Sequence, residues 1–405
     1  MAEKSTSGNK FIHTSLAIIV SIAILFVLKV SRDVAVPVVF SFFCFLLFSP
    51  LLRRMDKLHI PAFISVTFVM VLLLLVFILA GWFIIMTVDS LIRLIPFYAD
   101  KVVSLDRLLS VKLSAFVDLP EGASFLALLP VNWSNLAISS LTSISNKFFS
   151  FANVAMVVYI FVLFLLLERQ SIIPKVLAAA PKRGIRVAVM FERITRQVSK
   201  YLLLKAVISA FTGFFFFLTA MLTGLDLPIL WGVLAFIFNF IPSIGSIIVT
   251  AMTILMALIQ FAPVWSSVIW VAVLTISTQM ILGNIIDPRL QGGQLNLSPF
   301  VILVSLSIWG FIWGIPGMFI AVPLTSVLQI VCANVKSLKS VAILISSGKS
   351  YQRDSEREQV IERYLRKQQR KRKSPDEVIE HPDDVEDETI YRGDFILPEN
   401  FGEKR

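Results

Sequence analysis

Apolar residues do not alternate with polar ones along most of this chain; they run together. The runs at 11–30, 35–52, 61–88 and 150–168 are each long enough, as helices, to cross a bilayer core of about 30 Å. Two more runs of that kind follow, at 206–223 and 264–286. The pattern predicts an all-α polytopic membrane protein with about six full spans.

Two further stretches depart from that pattern in the same way. Residues 229–241 form an apolar run of 13, which as a helix reaches only about 20 Å. The run stops at "IPSIG" (241–245) and resumes as 246–262. Residues 299–313 stop at "GIPG" (314–317) and resume as 318–333. A long run, a short run, a Pro/Gly break and another short run thus occur twice. The expectation is two re-entrant helical hairpins which, followed from side to side, point in opposite directions as an inverted repeat. Lipid cannot satisfy free peptide groups, so broken backbone survives only inside protein or against a wet cavity. Proline removes a donor and glycine lets the chain turn. The half-helix ends then present partial charges to a solute near the midplane. An ordinary proline kink is the alternative for either break taken alone.

This pattern nominates substrate-binding residues. Asn239, Pro242, Ser243 and Gly245 mark the first break, and Gly314, Pro316 and Gly317 the second. Gln279 and Asn284 lie on the long run between them. Asp287 is the ion-coupling candidate, because intramembrane carboxylates are rare and usually functional. Its alternative is an interfacial loop acid paired with Arg289. Asp226, in "TGLDLP", reads as a turn residue or helix N-cap.

Charge sets the orientation. "RRMDKLH" (53–59) is net basic, and 169–205 holds nine Lys/Arg against one acid, Glu192. Such loops stay in the cytoplasm, which puts both termini inside and 89–149 outside. The expected parts are a scaffold of three spans (1–88), an extracytoplasmic amphipathic helical cap (89–149) and a fourth span (150–168). A basic cytoplasmic amphipathic helix (169–205), a transport unit with two broken hairpins (206–335) and a charged tail (336–405) complete the chain. In 186–205, Val187, Phe191, Ile194, Val198 and Tyr201 share one face. A helix lying on the inner leaflet and a helix packed on the membrane domain both fit. In the tail, "RKQQRKRK" (366–373) precedes "DEVIEHPDDVEDE" (376–388). A short polar helix over 351–372 followed by a disordered acidic segment is expected. The first run lacks a small-x-small cleavage site after it and reads as a retained span.

Composition agrees. The chain is 57% hydrophobic and 16% charged, against about 25% charged in a soluble domain; mean hydropathy is +0.82. The net charge of +10 comes largely from inner-face loops, which favours membrane lipid over nucleic acid as a partner. Cys44 and Cys332 sit in apolar runs, and the three histidines lie far apart. With no metal-ligand spacing, no HExxH and no GxxxxGK[ST], neither an enzyme, a metal nor a cofactor is expected.

"FNFIPSIGSII" (238–248), "GNIIDPRLQGGQLNLSP" (283–299) and "SIWGFIWGIPGMFIAVPLT" (307–325) resemble the signature blocks of the autoinducer-2 exporter family of bacterial membrane proteins, formerly PerM-like permeases. The likeness covers most of 11–335. It implies secondary transport in the bacterial inner (cytoplasmic) membrane, a homo-oligomer with five as the suggested subunit number, and an elevator-like motion. It points to Asn239, Pro242, Gly245, Asn284, Pro288, Gly310, Gly317 and Pro323 as functional positions. Two activities are ascribed to such proteins: export of the quorum-sensing signal autoinducer-2, and antiport of sodium or lithium against protons. Export of a small polar solute is the expected function, since an amide-lined cavity suits a polyhydroxylated molecule. Antiport of a monovalent cation through Asp287 is the alternative, and a non-transporting membrane scaffold is a second one.

Overall fold

A computed structural model describes residues 15–348, apart from 17–18, 21, 114–132, 180–183 and 292–294. The tail beyond 348, with its expected helix and acidic segment, lies outside the described residues, as do 1–14.

Residues 22–30 are helical and pass through one turn residue, Ser31, into α1 (Arg32–Lys57). Ser31 donates its N–H to Val27 O, and its carbonyl accepts from Val34 and Ala35. The helical bonding is therefore kept on both sides, and the runs expected as separate spans join at a bend. Trp313 donates its indole N–H to Leu28 O just before that bend, at 2.9 Å.

α2 (Ala62–Leu113) and α3 (Trp133–Ala179) carry the third and fourth apolar runs. Their extensions beyond those runs are helical, so much of the segment expected as a separate cap continues the spans. α4 (Gly184–Thr223) is one helix of 40 residues, about 60 Å long. Its basic first half thus leads directly into the fifth apolar run. Ile194 and Val198 are buried in the main apolar cluster with Leu46, Leu52, Val162 and Leu166, which is packing on the membrane helices. Pro50 lies inside α1 and has no N–H for the carbonyl four residues back. Ser199 of α4 supplies a donor there, its hydroxyl bonding Leu46 O. At the same end, Arg169 of α3 grips both carboxylate oxygens of Asp56, at 2.6 and 3.0 Å.

α5 (Pro228–Phe238) opens on proline, whose missing N–H costs nothing in the first turn. It returns as α6 (Ile244–Phe261). The fold-back follows from burial, since Trp231 shares a cluster with Ala257, and Ala235 shares one with Val249. Gln260 ties the open end of the pair. Its amide donates to Gly224 O at 2.8 Å and accepts from Asp226 N–H at 2.9 Å. Asp226 is not an N-cap: Leu227 holds that position without a side-chain cap, and the Asp226 carboxylate accepts from Tyr98 of α2.

α7 (Trp265–Thr278) continues into a π-helical segment, Gln279–Ile286, and a short α8 (Asp287–Gln291). α9 (Pro299–Trp313) and α10 (Ile315–Asn334) form the second broken pair. Trp309 donates to Thr325 Oγ1 at 3.3 Å. These residues would stand about 24 Å apart on one straight helix, so the chain doubles back at Gly314. α11 (Lys339–Ile345) follows a single 3-10 turn, and Ile345 O accepts from Ser298 N–H just before α9.

Seven helices among the described residues are long and apolar enough to cross a membrane. α5 and α9 are shorter, at 11 and 15 residues. Their returning partners have 18 and 20, so each pair has unequal arms rather than the two short arms expected. Leu203, Val207 and Phe211 of α4 are among many large apolar side chains that face outward, as a lipid solvent allows.

Candidate functional site

Both breaks fall where the sequence places them, and glycine makes both possible. A Cβ on Gly245 would lie 1.8 Å from Phe238 O, and one on Gly317 2.0 Å from Trp309 O. No other residue fits such contacts without moving backbone. The first tip is also strained. Ser243 has φ 61° and ψ −56°, and Ile244 N–H bonds Pro242 O at 2.7 Å, closing a three-residue turn. That turn is rare for an L-residue, and such strain gathers at ligand sites. The second tip uses Gly314, at φ 70° and ψ −145°.

The tips approach each other through aromatic rings. Phe240 stacks on Phe319 with centroids 4.6 Å apart. The contact is apolar, and the polar space lies to one side of it. A cavity of about 540 Å³ opens between α4, the first tip, α6, α7 and the π segment. Asn239, Pro242, Ser243, Gln279, Asn284 and Asp287 all line it. Gly245 does not line it but holds the tip's shape against Phe238. Gly314, Pro316 and Gly317 do not line it.

The polar groups of this cavity are held to different degrees. Asn239 is almost wholly buried, and its amide donates to Ser209 Oγ at 3.0 Å. Lys205, one turn before Ser209 on α4, is 3% exposed and bonds Asp287 Oδ2 at 2.7 Å. The Asp287 carboxylate thus pairs with Lys205 of another helix, and no ion pair among the described residues joins it to Arg289. By contrast, both amide atoms of Gln279 and the hydroxyl of Thr250 are buried without a partner among the described residues. Asn284 donates to Met280 Sδ at 3.2 Å, a weak acceptor that a solute oxygen can outbid.

The π-helical bonding decides which side chains share this wall. In an α-helix Gln279 and Asn284, five residues apart, would point about 140° from each other. With each N–H bonded five residues back, the pair falls on one face. Apolar periodicity carries no sign of this.

Sequence reasoning missed Lys205, Ser209 and Thr250. Lys205 is the last of nine basic residues in a stretch read as cytoplasmic, one position before the long charge-poor region. Its signal was the helical spacing Tyr201–Lys205–Ser209, which places it on the buried face of α4.

Largely helical described residues, with seven membrane-length helices and a cavity lined by polar side chains among them, mark a multi-pass membrane protein of the transporter class. The AI-2E family transporter model matches residues 16–337, and the chain belongs to that family. It is 37% identical to a Borreliella burgdorferi protein described provisionally as a transport protein, over 54% of this chain and 60% of that one. It is 28% identical to the AI-2 transport protein TqsA of Escherichia coli K12, over 79% of this chain and 91% of TqsA. A Haemophilus influenzae relative, again described provisionally as a transport protein, is 29% identical over 84% of this chain and 97% of its own.

Proposed function

We propose that this protein exports a small, polar, uncharged solute, such as autoinducer-2, across the bacterial inner membrane, with both termini cytoplasmic. The observation that carries the reading is a cavity of about 540 Å³ whose Gln279 amide and Thr250 hydroxyl have no protein partner among the described residues. Buried polar groups are normally paired, so an open one in a cavity calls for a water, an ion or a ligand. Binding sites for small molecules occupy roughly 300–1,000 Å³. The one carboxylate lining the cavity is matched by Lys205, so the site offers hydrogen bonds without a strong net charge. The named substrate of the relative TqsA agrees with such a solute.

The strained tip at Ser243 and the tip at Gly314 are read as re-entrant, lying inside the bilayer in opposite orientations. α5 and α9 reach only about 16 and 22 Å at 1.5 Å per residue, which supports this. Movement of the first pair against the aromatic contact Phe240–Phe319 would open the cavity to one side at a time. A homo-oligomer would supply the fixed frame.

Release of autoinducer-2 from proteoliposomes tests the reading. Gln279→Leu with Asn284→Leu removes two partners at about 1 kcal/mol each, predicting roughly thirtyfold weaker solute affinity. Unchanged transport by that variant overturns it. No transport of any solute by the wild type would leave the scaffold alternative.

A second reading, antiport of Na⁺ or Li⁺ against protons, is favoured by the Lys205–Asp287 pair, whose lysine is buried and whose carboxylate is part-buried. Asp287→Asn alone is a poor test, because it strands a buried lysine charge. The double variant Lys205→Met, Asp287→Leu removes both charges. Cation-dependent proton movement in everted vesicles should vanish in it if the pair is the coupling site, while export of a neutral solute persists.

A further inference from the structure

Away from the central cavity, a second polar recess of about 220 Å³ lies between α1 and α4. Three cations line it: Arg53 from α1, and Arg196 and Lys200 one turn apart on α4. No carboxylate lines it, and none of the three cations is in an ion pair among the described residues. The nearest acids, Asp56 and Glu192, line an adjoining recess that Arg53 also reaches, and Asp56 is held there by Arg169 at 2.6 Å. Like charges brought together without counter-charge raise the energy of the empty site and favour an anion.

The recess is built rather than incidental. Pro50 leaves Leu46 O without its helical donor, and Ser199 fills that place, locking α4 against α1 in register. That lock sets Arg196 and Lys200 on either side of Ser199 and opposite Arg53. Ser49 is nearly buried in the recess wall. What lies below the cations is equally specific. Leu203 closes the recess and begins an outward-facing apolar stripe with Val207 and Phe211, at helical spacing down α4. A cationic cup above an exposed apolar stripe matches a molecule with a phosphate head and hydrocarbon tails.

We propose that Arg53, Arg196 and Lys200 form a binding site for the phosphate of an anionic phospholipid, whose acyl chain lies along Leu203, Val207 and Phe211. Arginine takes phosphate through two parallel N–H bonds, and lysine adds a point charge. The lipid would bridge α1 and α4, the helix that also carries Lys205 and Ser209.

The test uses the full chain purified in a mild non-ionic detergent, with native mass spectrometry counting bound phosphatidylglycerol or phosphatidylcholine. Phosphatidylglycerol adducts should dominate. Each charge near the surface is worth about fivefold, so Arg53→Gln, Arg196→Gln, Lys200→Gln together should weaken binding roughly a hundredfold. The charge-keeping set Arg53→Lys, Arg196→Lys, Lys200→Arg should retain most of it, which separates charge from misfolding. Arg186→Gln with Arg193→Gln, on the same helix but outside the recess, should change nothing. Equal adducts of the two lipids, or equal loss in the Arg186/Arg193 control, overturns the site. Inorganic phosphate that displaces phosphatidylglycerol fully, with the same variant dependence, overturns the lipid assignment in favour of a soluble phosphate ligand.

Discussion

Single atoms decide whether the first tip forms. The hydrogen that Gly245 has in place of a Cβ lets Phe238 O approach to a distance no side chain tolerates. Gly245→Ala should therefore destabilise the protein by at least about 2–3 kcal/mol, since overpacking against backbone has no cheap escape. Thermal unfolding in detergent measures it. Gly283→Ala is the matched control: its Cβ would meet only Gln279 Oε1, at 3.4 Å. Stability should hold or rise there by up to about 1 kcal/mol. Ser243→Gly should likewise stabilise the fold, by about 1 kcal/mol, because glycine adopts positive φ without strain. If Ser243→Gly lowers the unfolding temperature, the turn is not strained. The Lys205–Asp287 pair makes the opposite case. Lys205→Met alone should cost about 3–5 kcal/mol by removing the buried cation that bonds the part-buried Asp287 carboxylate, whereas Lys205→Met with Asp287→Leu should recover most of that loss.

At the scale of elements, a hydrogen bond from α2 helps to tether the first broken pair at its open end. Tyr98 donates to Asp226, while Gln260 and Trp231 bond the backbone of the same residue. Burial, then the hydrogen bond and charge of Asp226, push the Tyr98 phenol above the usual phenolic range. A phenol raised in the folded state contributes stability that is complete below its unfolded pKa of about 10 and is lost as pH rises past that value. Unfolding followed against pH should thus show no change from this contact at neutral pH and a decline above about 10. Tyr98→Phe should remove that alkaline decline and cost about 1–2 kcal/mol. A profile identical to wild type would show that α2 does not hold Asp226. The elements also show what pattern alone can reach. The breaks at 241–245 and 314–317 were legible because proline and glycine interrupt otherwise unbroken apolar runs. The length of α4 was not: a basic segment and an apolar segment read as two elements, although no helix-breaking residue separates them.

For the whole molecule, the decisive question is how deep the two tips lie. With Ser243→Cys and Ile315→Cys on an otherwise cysteine-free chain, membrane-impermeant reagents applied from each side should label neither tip as freely as a residue in an ordinary loop. Strong labelling of the two on opposite surfaces would mean full-length crossings and would remove the inverted repeat.

The sequence by itself determined the membrane class, the two interruptions and the polar residues nearest them, because the hydrophobic effect and the geometry of proline and glycine act locally and leave a pattern. Asn239, Pro242, Ser243, Gln279, Asn284 and Asp287 were all visible in that way. Only the tertiary structure decided that these six share one cavity while Gly314, Pro316 and Gly317 do not line it. It also decided that Lys205 rather than Arg289 answers Asp287, and that a π-helical segment turns Gln279 and Asn284 onto the same wall. Those outcomes depend on which helix lies beside which. Pairing of charges across 82 positions and a shift of one residue in helical bonding change no local pattern of polar and apolar residues.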